Sequence, residues 1–88
     1  MDSIKAKVDK YLERAKPLFS GLVATSGLSP ADGKKAAKVL DMALCYYSDS
    51  KHFYGKGKYL NALTAVEYAE GWMDAGIEMG FIVRDEEE

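Results

Sequence analysis

Cys45, Asp49 and His52 recur at i, i+4 and i+7 on the polar back of one helical stretch, and no other row in the chain comes closer to a reactive constellation. A thiolate, a carboxylate and an imidazole are the groups of nucleophilic catalysis and of transition-metal sites. The spacing works against both. At a rise of 1.5 Å per residue, Cys45 and His52 stand about 10.5 Å apart along the axis. A Cys–His catalytic pair needs about 3 Å, and one ion sits about 2 Å from each ligand. Asp49-x-x-His52 alone has the form of half a carboxylate-bridged metal motif, to which Glu67, Glu70 and Asp74 can lend carboxylates. Such bundle sites need two carboxylate–histidine pairs pointing inward. This chain has one histidine, and the helical wheel turns it outward.

Two further features invite chemistry. Glu70 falls on an apolar stripe with Leu63, Val66, Met73 and Ile77, where a carboxylate can acquire a raised pKa and acid–base work; at the stripe edge it reaches water, a lysine or a tyrosine hydroxyl instead. "GKGKY", residues 55–59, sets glycines and lysines before a helix, as anion sites do, but it is too short for a phosphate loop and reads as a turn. The chain is therefore read as a non-enzyme with no catalytic residue, no metal and no cofactor.

The elements that carry these residues are helical. Eighty-eight residues make one domain, 1–88. Only two prolines interrupt the chain, which favours long helices. Ile4, Val8, Tyr11, Leu12, Ala15, Leu18, Phe19 and Leu22 recur at three- and four-residue steps and predict a helix over about 2–24, capped by Asp2 or Ser3 and kinked rather than split at Pro17. Gly27 suits its C-terminus. Ser29-Pro30 is a start signal for a second helix over about 30–54, whose Ala36, Val39, Leu40, Ala43, Tyr46, Tyr47, Ser50, Phe53 and Tyr54 share a face. Gly55 or Gly57 ends it, and a third helix follows over about 58–80. No alternating β-branched run calls for a sheet. Short loops and matched lengths give an all-α, up-down-up three-helix bundle with a frayed acidic tail over 84–88.

The third helix has too little polar face. Tyr59, Ala62, Leu63, Val66, Met73 and Ile77 make one apolar arc; Ala65, Tyr68, Ala69, Trp72, Ala75, Gly76 and Met79 make a second. A helix apolar nearly all round is buried on more than one side. Either the first two helices wrap further round the third, or the second arc meets a partner. Ala65, Tyr68, Ala69, Trp72, Gly76 and Met79 are accordingly the candidate partner-binding residues, for a second copy or another helical protein. Tyr and Trp are the types that anchor interfaces, and the small residues admit a close helix.

Charge offers an alternative from another class. Up to Gly57 the chain has ten basic and six acidic residues, and after it two and eight. A nucleic-acid or nucleotide binder would use Lys7, Lys10, Arg14, Lys34 and Lys38, although binders more often carry a net positive charge and this chain carries −2. The lone Cys45 fits a reducing, cytoplasmic setting. No run of 18 apolar residues occurs, so no membrane partner is expected, and the charged N-terminus is not a signal peptide.

"YYSDSKHFYGKGKYLNALTAVEYAEG", residues 46–71, resembles a single tetratricopeptide hairpin: Tyr46, Phe53, Gly57, Tyr59, Ala62, Val66 and Ala69 match that spacing, with Ser50 at its second glycine position and Asp74 at its closing proline. A solenoid needs about three such units, so the likeness implies a shared hairpin packing. Helical nucleotide-binding domains of the toxin–antitoxin class have a similar hairpin, but their nuclease members carry an Arg shortly before a His, and here only Arg14 precedes His52. Nearly the whole chain resembles a short archaeal family known as domain of unknown function 357. The carrying residues are Asp49-Ser50, Gly57, Tyr59, Asn61-Ala62, Tyr68-Ala69 and Gly71-Trp72-Met73-Asp74-Ala75. An Asp commonly follows the second loop glycine in that family; here it is Lys58, a cation at the wrong end of the helix dipole. The resemblance implies an all-helical, archaeal, cytoplasmic protein and supplies no activity.

Overall fold

A computed structural model describes residues 3–85. Three helices are present: α1 (Ser3–Ser20), α2 (Pro30–Gly55) and α3 (Tyr59–Glu78). They pack against one another, and two short strands, β1 (Leu22–Ala24) and β2 (Ile82–Arg84), join the chain's two ends. The bundle is the one the apolar periodicity predicts. Asp2, a possible cap, lies outside the described residues.

The strands are the departure from that prediction. Leu22, Val23 and Ala24 pair antiparallel with Arg84, Val83 and Ile82. Thr25 N–H donates to the Phe81 carbonyl at 2.9 Å and Asp85 N–H to the Gly21 carbonyl at 2.6 Å, extending the ribbon at both ends. The first helix therefore stops at Ser20 rather than near residue 24, and Gly27, although at φ 80°, lies in the loop after β1 rather than at a helix end. Arg84 and Asp85, expected in a frayed tail over 84–88, are tied into the ribbon, and residues 86–88 lie outside the described residues. Pairing meets backbone donors and acceptors that a last helical turn leaves open. Three residues per strand are too few to show a period of two against a helical pattern.

Local chemistry sets the other boundaries. The Ser29 hydroxyl accepts from Asp32 N–H at 3.1 Å, and Pro30 takes the first helical position of α2. Gly57, at φ 75°, ends α2: its N–H donates to the Tyr54 carbonyl at 3.0 Å while Lys58 N–H reaches the Phe53 carbonyl at 2.9 Å. Gly80, at φ 79°, repeats the pattern after α3, with bonds to the Ile77 and Gly76 carbonyls at 3.0 and 2.8 Å. Both are Schellman ends, which require a left-handed residue. Pro17 is exposed and α1 runs through it unbroken.

Most of the packing lies between α2 and α3, and α1 lies mainly against α3. Small residues line the seams: Ala15, Ala36, Ala43, Ala62 and Ala69 are fully buried. Ser50 is buried too, and its hydroxyl donates to the Ala62 carbonyl at 2.6 Å, which satisfies the one buried polar side chain among the core positions. Phe19 of α1 stacks on Tyr47 of α2 with ring centroids 4.6 Å apart, and burial pushes the Tyr47 hydroxyl's pKa up. The molecule measures 50 by 25 by 18 Å. Eighteen ångströms is about two helix diameters, so among the described residues α1 covers one side of the α2–α3 hairpin and no third layer covers the other.

Near its start, α1 is fastened to the hairpin by a polar cluster. The Lys5 ammonium donates to the Tyr54 hydroxyl at 3.1 Å and to Asp9 Oδ2 at 3.2 Å, and the Tyr54 hydroxyl donates to Asp9 Oδ1. Tyr54 in turn meets Tyr59 edge-on at 5.5 Å. The Tyr54 bond first, and the Lys5 bond after it, hold the Asp9 carboxyl below its usual pKa.

Two outcomes are expected. A Cβ at Gly76 would lie 2.4 Å from Ile82 Cδ1 and 2.8 Å from Val39 Cγ1. Gly76→Ala therefore costs about 1–3 kcal/mol from overpacking, partly offset by about 1 kcal/mol of helix propensity. Ile82→Val, which removes the nearest methyl, makes that cost smaller in a double-mutant cycle of urea melts; additive effects would contradict the contact. Because the folded Asp9 pKa is depressed, its stabilisation is present above its unfolded value of about 3.9 and is lost as pH falls through the folded value. Tyr54→Phe should flatten the fall in melting temperature below about pH 4, and an unchanged acid slope would show that the cluster carries none of it.

Candidate functional site

The buried residues of α3 are Ala62, Ala65, Val66, Ala69, Met73 and Gly76. They form one stripe that runs between the two arcs predicted from the sequence and takes members of both. Ala69 and Gly76 are thus not available to an outside helix, since the core and Ile82 of the ribbon fill the space beside them, and Ala65, 6% exposed, shows only at the bottom of a groove. The core face of α3 is turned about 60° from the centre that the helical wheel predicts, because Tyr59 and Ile77 lie outside the buried stripe and the small residues inside it.

The large members of the second arc remain outside. Tyr68 is 57% exposed, Met79 57% and Trp72 36%, and Leu60, which sequence reasoning missed, is 62% exposed. Leu60, Thr64, Tyr68 and Trp72 stand at four-residue steps, with Ala75 and Met79 continuing the line, so they share one face of α3. That spacing was the available signal for Leu60.

Two adjoining grooves lie along this face. One, of about 320 Å³, runs between α2 and α3 and is walled by Tyr46, Phe53, Leu60, Asn61, Thr64 and Tyr68, with Asp49 at its α2 rim and Ala65 at its floor. The other, of about 360 Å³, lies over Gly71 between Tyr68, Trp72, Ala75 and Glu67. Tyr68 is common to both and meets Tyr46 edge-on at 5.3 Å, a preferred aromatic geometry.

The residues with chemical potential are placed elsewhere or otherwise engaged. Cys45 and His52 are exposed on α2. The Cys45 thiol donates to Asp41 Oδ1 at 3.6 Å, and the Asp41 charge holds its pKa above the usual thiol value, so the reactive thiolate is disfavoured. Among the described residues no three of His, Cys, Asp and Glu are set to hold one metal ion. Glu70 is taken by Arg14, whose Nη2 donates to both carboxylate oxygens at 2.8 and 2.9 Å. The bond to Glu70 raises the Arg14 pKa. Lys58 N–H, which an anion would need at the "GKGKY" turn, is bonded to Phe53.

The basic flank is divided. Arg14 is paired and lies over the Tyr11 ring at 4.6 Å, and Lys7 sits 5.8 Å from the same ring. Lys10, Lys34 and Lys38 are exposed. No described helix is long and apolar enough to cross a membrane.

Comparison with known proteins gives a family and a fold. No curated protein matches the sequence. The crystal structure of protein AF1782 from Archaeoglobus fulgidus, described as a member of the same family, superimposes with a TM-score of 0.74 at 22% identity, covering 94% of this chain and 95% of that one. At that identity the likeness concerns the helical fold. The model of the family described as "Protein of unknown function (DUF357)" matches residues 6–82, with the helical hairpin and the α1 that backs it inside the match, and the chain belongs to that family.

Proposed function

We propose that this protein is a small helical interaction module whose working surface is the outer face of the α2–α3 hairpin. The observation that carries this reading is the line of large side chains there: Leu60, Tyr68, Trp72 and Met79 stay 36–62% exposed although α3 has small residues enough to fill the core. A monomer gains nothing from holding a tryptophan and a tyrosine one turn apart on an open face. Burying them against a partner stabilises a complex by about 2–3 kcal/mol for each large side chain. The composition is that of an interface centre, aromatic with a polar rim of Asp49, Asn61 and Glu67.

The surface does not need a reaction to account for it. Its grooves hold one carboxylate each, Asp49 in the first and Glu67 in the second, beside aromatic and apolar walls. The partner-binding residues are therefore taken as Tyr68, Trp72 and Met79 with Leu60, and the buried Ala65, Ala69 and Gly76 act by holding α3 in place.

A photo-crosslinker tests this without presupposing the partner. In a Cys45→Ser background, a benzophenone is attached at Tyr68→Cys or, as control, at Lys35→Cys, and each protein is irradiated alone and in an extract of its own cells. Adducts to a second chain are expected from position 68 and not from position 35. Equal labelling from both positions, or none from 68, would overturn the reading.

A further inference from the structure

We infer that the groove beside Tyr46 and Tyr68 receives an arginine side chain of the protein partner, its guanidinium set against the Asp49 carboxylate and the tyrosine rings. The inference rests on the reading of the outer face given above and adds to it the chemistry of the group that docks there.

The first argument is what the molecule does with the same components elsewhere. Among the described residues, two edge-on tyrosine pairs join α2 to α3: Tyr54 with Tyr59 at 5.5 Å, and Tyr46 with Tyr68 at 5.3 Å. The first pair holds a cation. The Lys5 ammonium of α1 lies 5.4 Å from the Tyr54 ring and 5.9 Å from the Tyr59 ring, with the Asp9 carboxylate 3.2 Å from it. Further along α1, the Arg14 guanidinium combines the same two contacts, lying 4.6 Å over the Tyr11 ring and bonded to Glu70. The second tyrosine pair also has a carboxylate at hand, since Asp49 lines the groove beside it. What it lacks is the cation. The cation–ring contacts of the described residues fall on Tyr11, Tyr47, Tyr54 and Tyr59, and none on Tyr46, Phe53 or Tyr68. Asp49 has no ion pair among those residues. Its charge is felt by the Cys45 thiol, whose pKa it helps the nearer Asp41 to raise.

The second argument is charge and shape. No lysine, arginine or histidine of the described residues lines this groove or the adjoining one, where Glu67 stands beside Trp72, so the formal charge of both is negative. Aromatic faces add to that sign, because their quadrupole attracts cations. A neutral apolar side chain would fill the groove and leave Asp49 unanswered at its rim. Arginine suits the site better than lysine: its planar guanidinium stacks on a ring and bonds a carboxylate together, and it is more weakly hydrated than an ammonium. Arginine is also enriched in interfaces, where lysine is depleted. The groove, of about 320 Å³, has room for one such side chain, with its stem along Phe53 and Leu60. Asn61 and Thr64 supply further oxygen acceptors for the remaining guanidinium donors.

The test is an NMR titration of the isotope-labelled chain with N-acetyl-arginine methylamide. Its uncharged isostere N-acetyl-citrulline methylamide, the lysine counterpart and the free polyamine spermine are titrated in parallel. The arginine probe is expected to shift the amide resonances around Asp49 on α2 and Thr64 on α3, saturating with a dissociation constant of about 10 mM. Citrulline should bind about fivefold more weakly, and Asp49→Asn and Tyr68→Leu should each weaken the arginine probe by about the same factor. Asp41→Asn, on the same helix but outside the groove, should not. Asp49→Asn should melt with the wild type, because that exposed carboxylate has no ion pair within the described fold, so a loss of binding reports the groove. Citrulline bound as tightly as arginine, indifference to Asp49→Asn, or no shifts up to about 100 mM overturns the inference. Spermine bound in place of arginine overturns a side chain as the source, and tighter binding of lysine overturns the choice of arginine. Any of these failures, beside crosslinks from position 68, leaves the outer face standing as an interaction surface. Arginine binding without such crosslinks overturns the interaction module instead.

Discussion

The close approach of α2 to α3 is the constraint on which the rest of the molecule depends. It is made possible by small side chains on both sides: Ala36, Ala43 and Ser50 from α2, and Ala62, Ala65, Ala69 and Gly76 from α3. Interiors are packed about as densely as organic crystals, so a seam of this kind excludes bulk. The Ser50 hydroxyl on the Ala62 carbonyl and the Ile82 side chain against Gly76 fix the approach at two places along α3. With the small residues inside, Tyr68, Trp72, Leu60 and Met79 have nowhere to go but out. The aromatic face is a consequence of how the core is filled.

The same seam decides what α1 and the ribbon do. A hairpin of two helices buries one stripe per helix and leaves two sides open. The first helix closes one of them through Phe19 on Tyr47, Arg14 on Glu70 and the Lys5–Asp9–Tyr54 cluster. The ribbon secures α1's C-terminal end, because β1 follows α1 and β2 follows α3, and their pairing ties the two helices at the end away from the α2–α3 turn. Glu70 and Arg84 belong to this framework: the carboxylate answers Arg14, and the Arg84 guanidinium lies along Met73 with Nη2 3.9 Å from its sulfur. The polar groups that look reactive in the sequence are thus mostly holding helices together or facing water.

The fold was legible because its signals are long. Apolar steps of three and four residues over some twenty positions mark each helix, Ser29-Pro30 marks a start, and Gly57 marks an end. The ribbon was not legible, because three-residue strands separated by 57 residues leave no local pattern and their pairing is decided by tertiary closure. The candidate surface was half legible. A wheel identifies that α3 is apolar on two sides, and it identifies Tyr68, Trp72 and Met79. It cannot say which way the neighbouring helices lie, and a shift of the core direction by less than a quarter turn moved Ala65, Ala69 and Gly76 inside and Leu60 outside.

Trp72 is the only tryptophan in the chain and lies on the face in question, so its fluorescence reports that face alone. Followed as the chain is concentrated from about 1 μM to about 1 mM, and again in the purified adduct formed from a crosslinker at Lys58→Cys beside that face, its emission should move to shorter wavelength as a partner covers the indole. Emission that stays unchanged in both would contradict a molecule whose outer face is built to be covered.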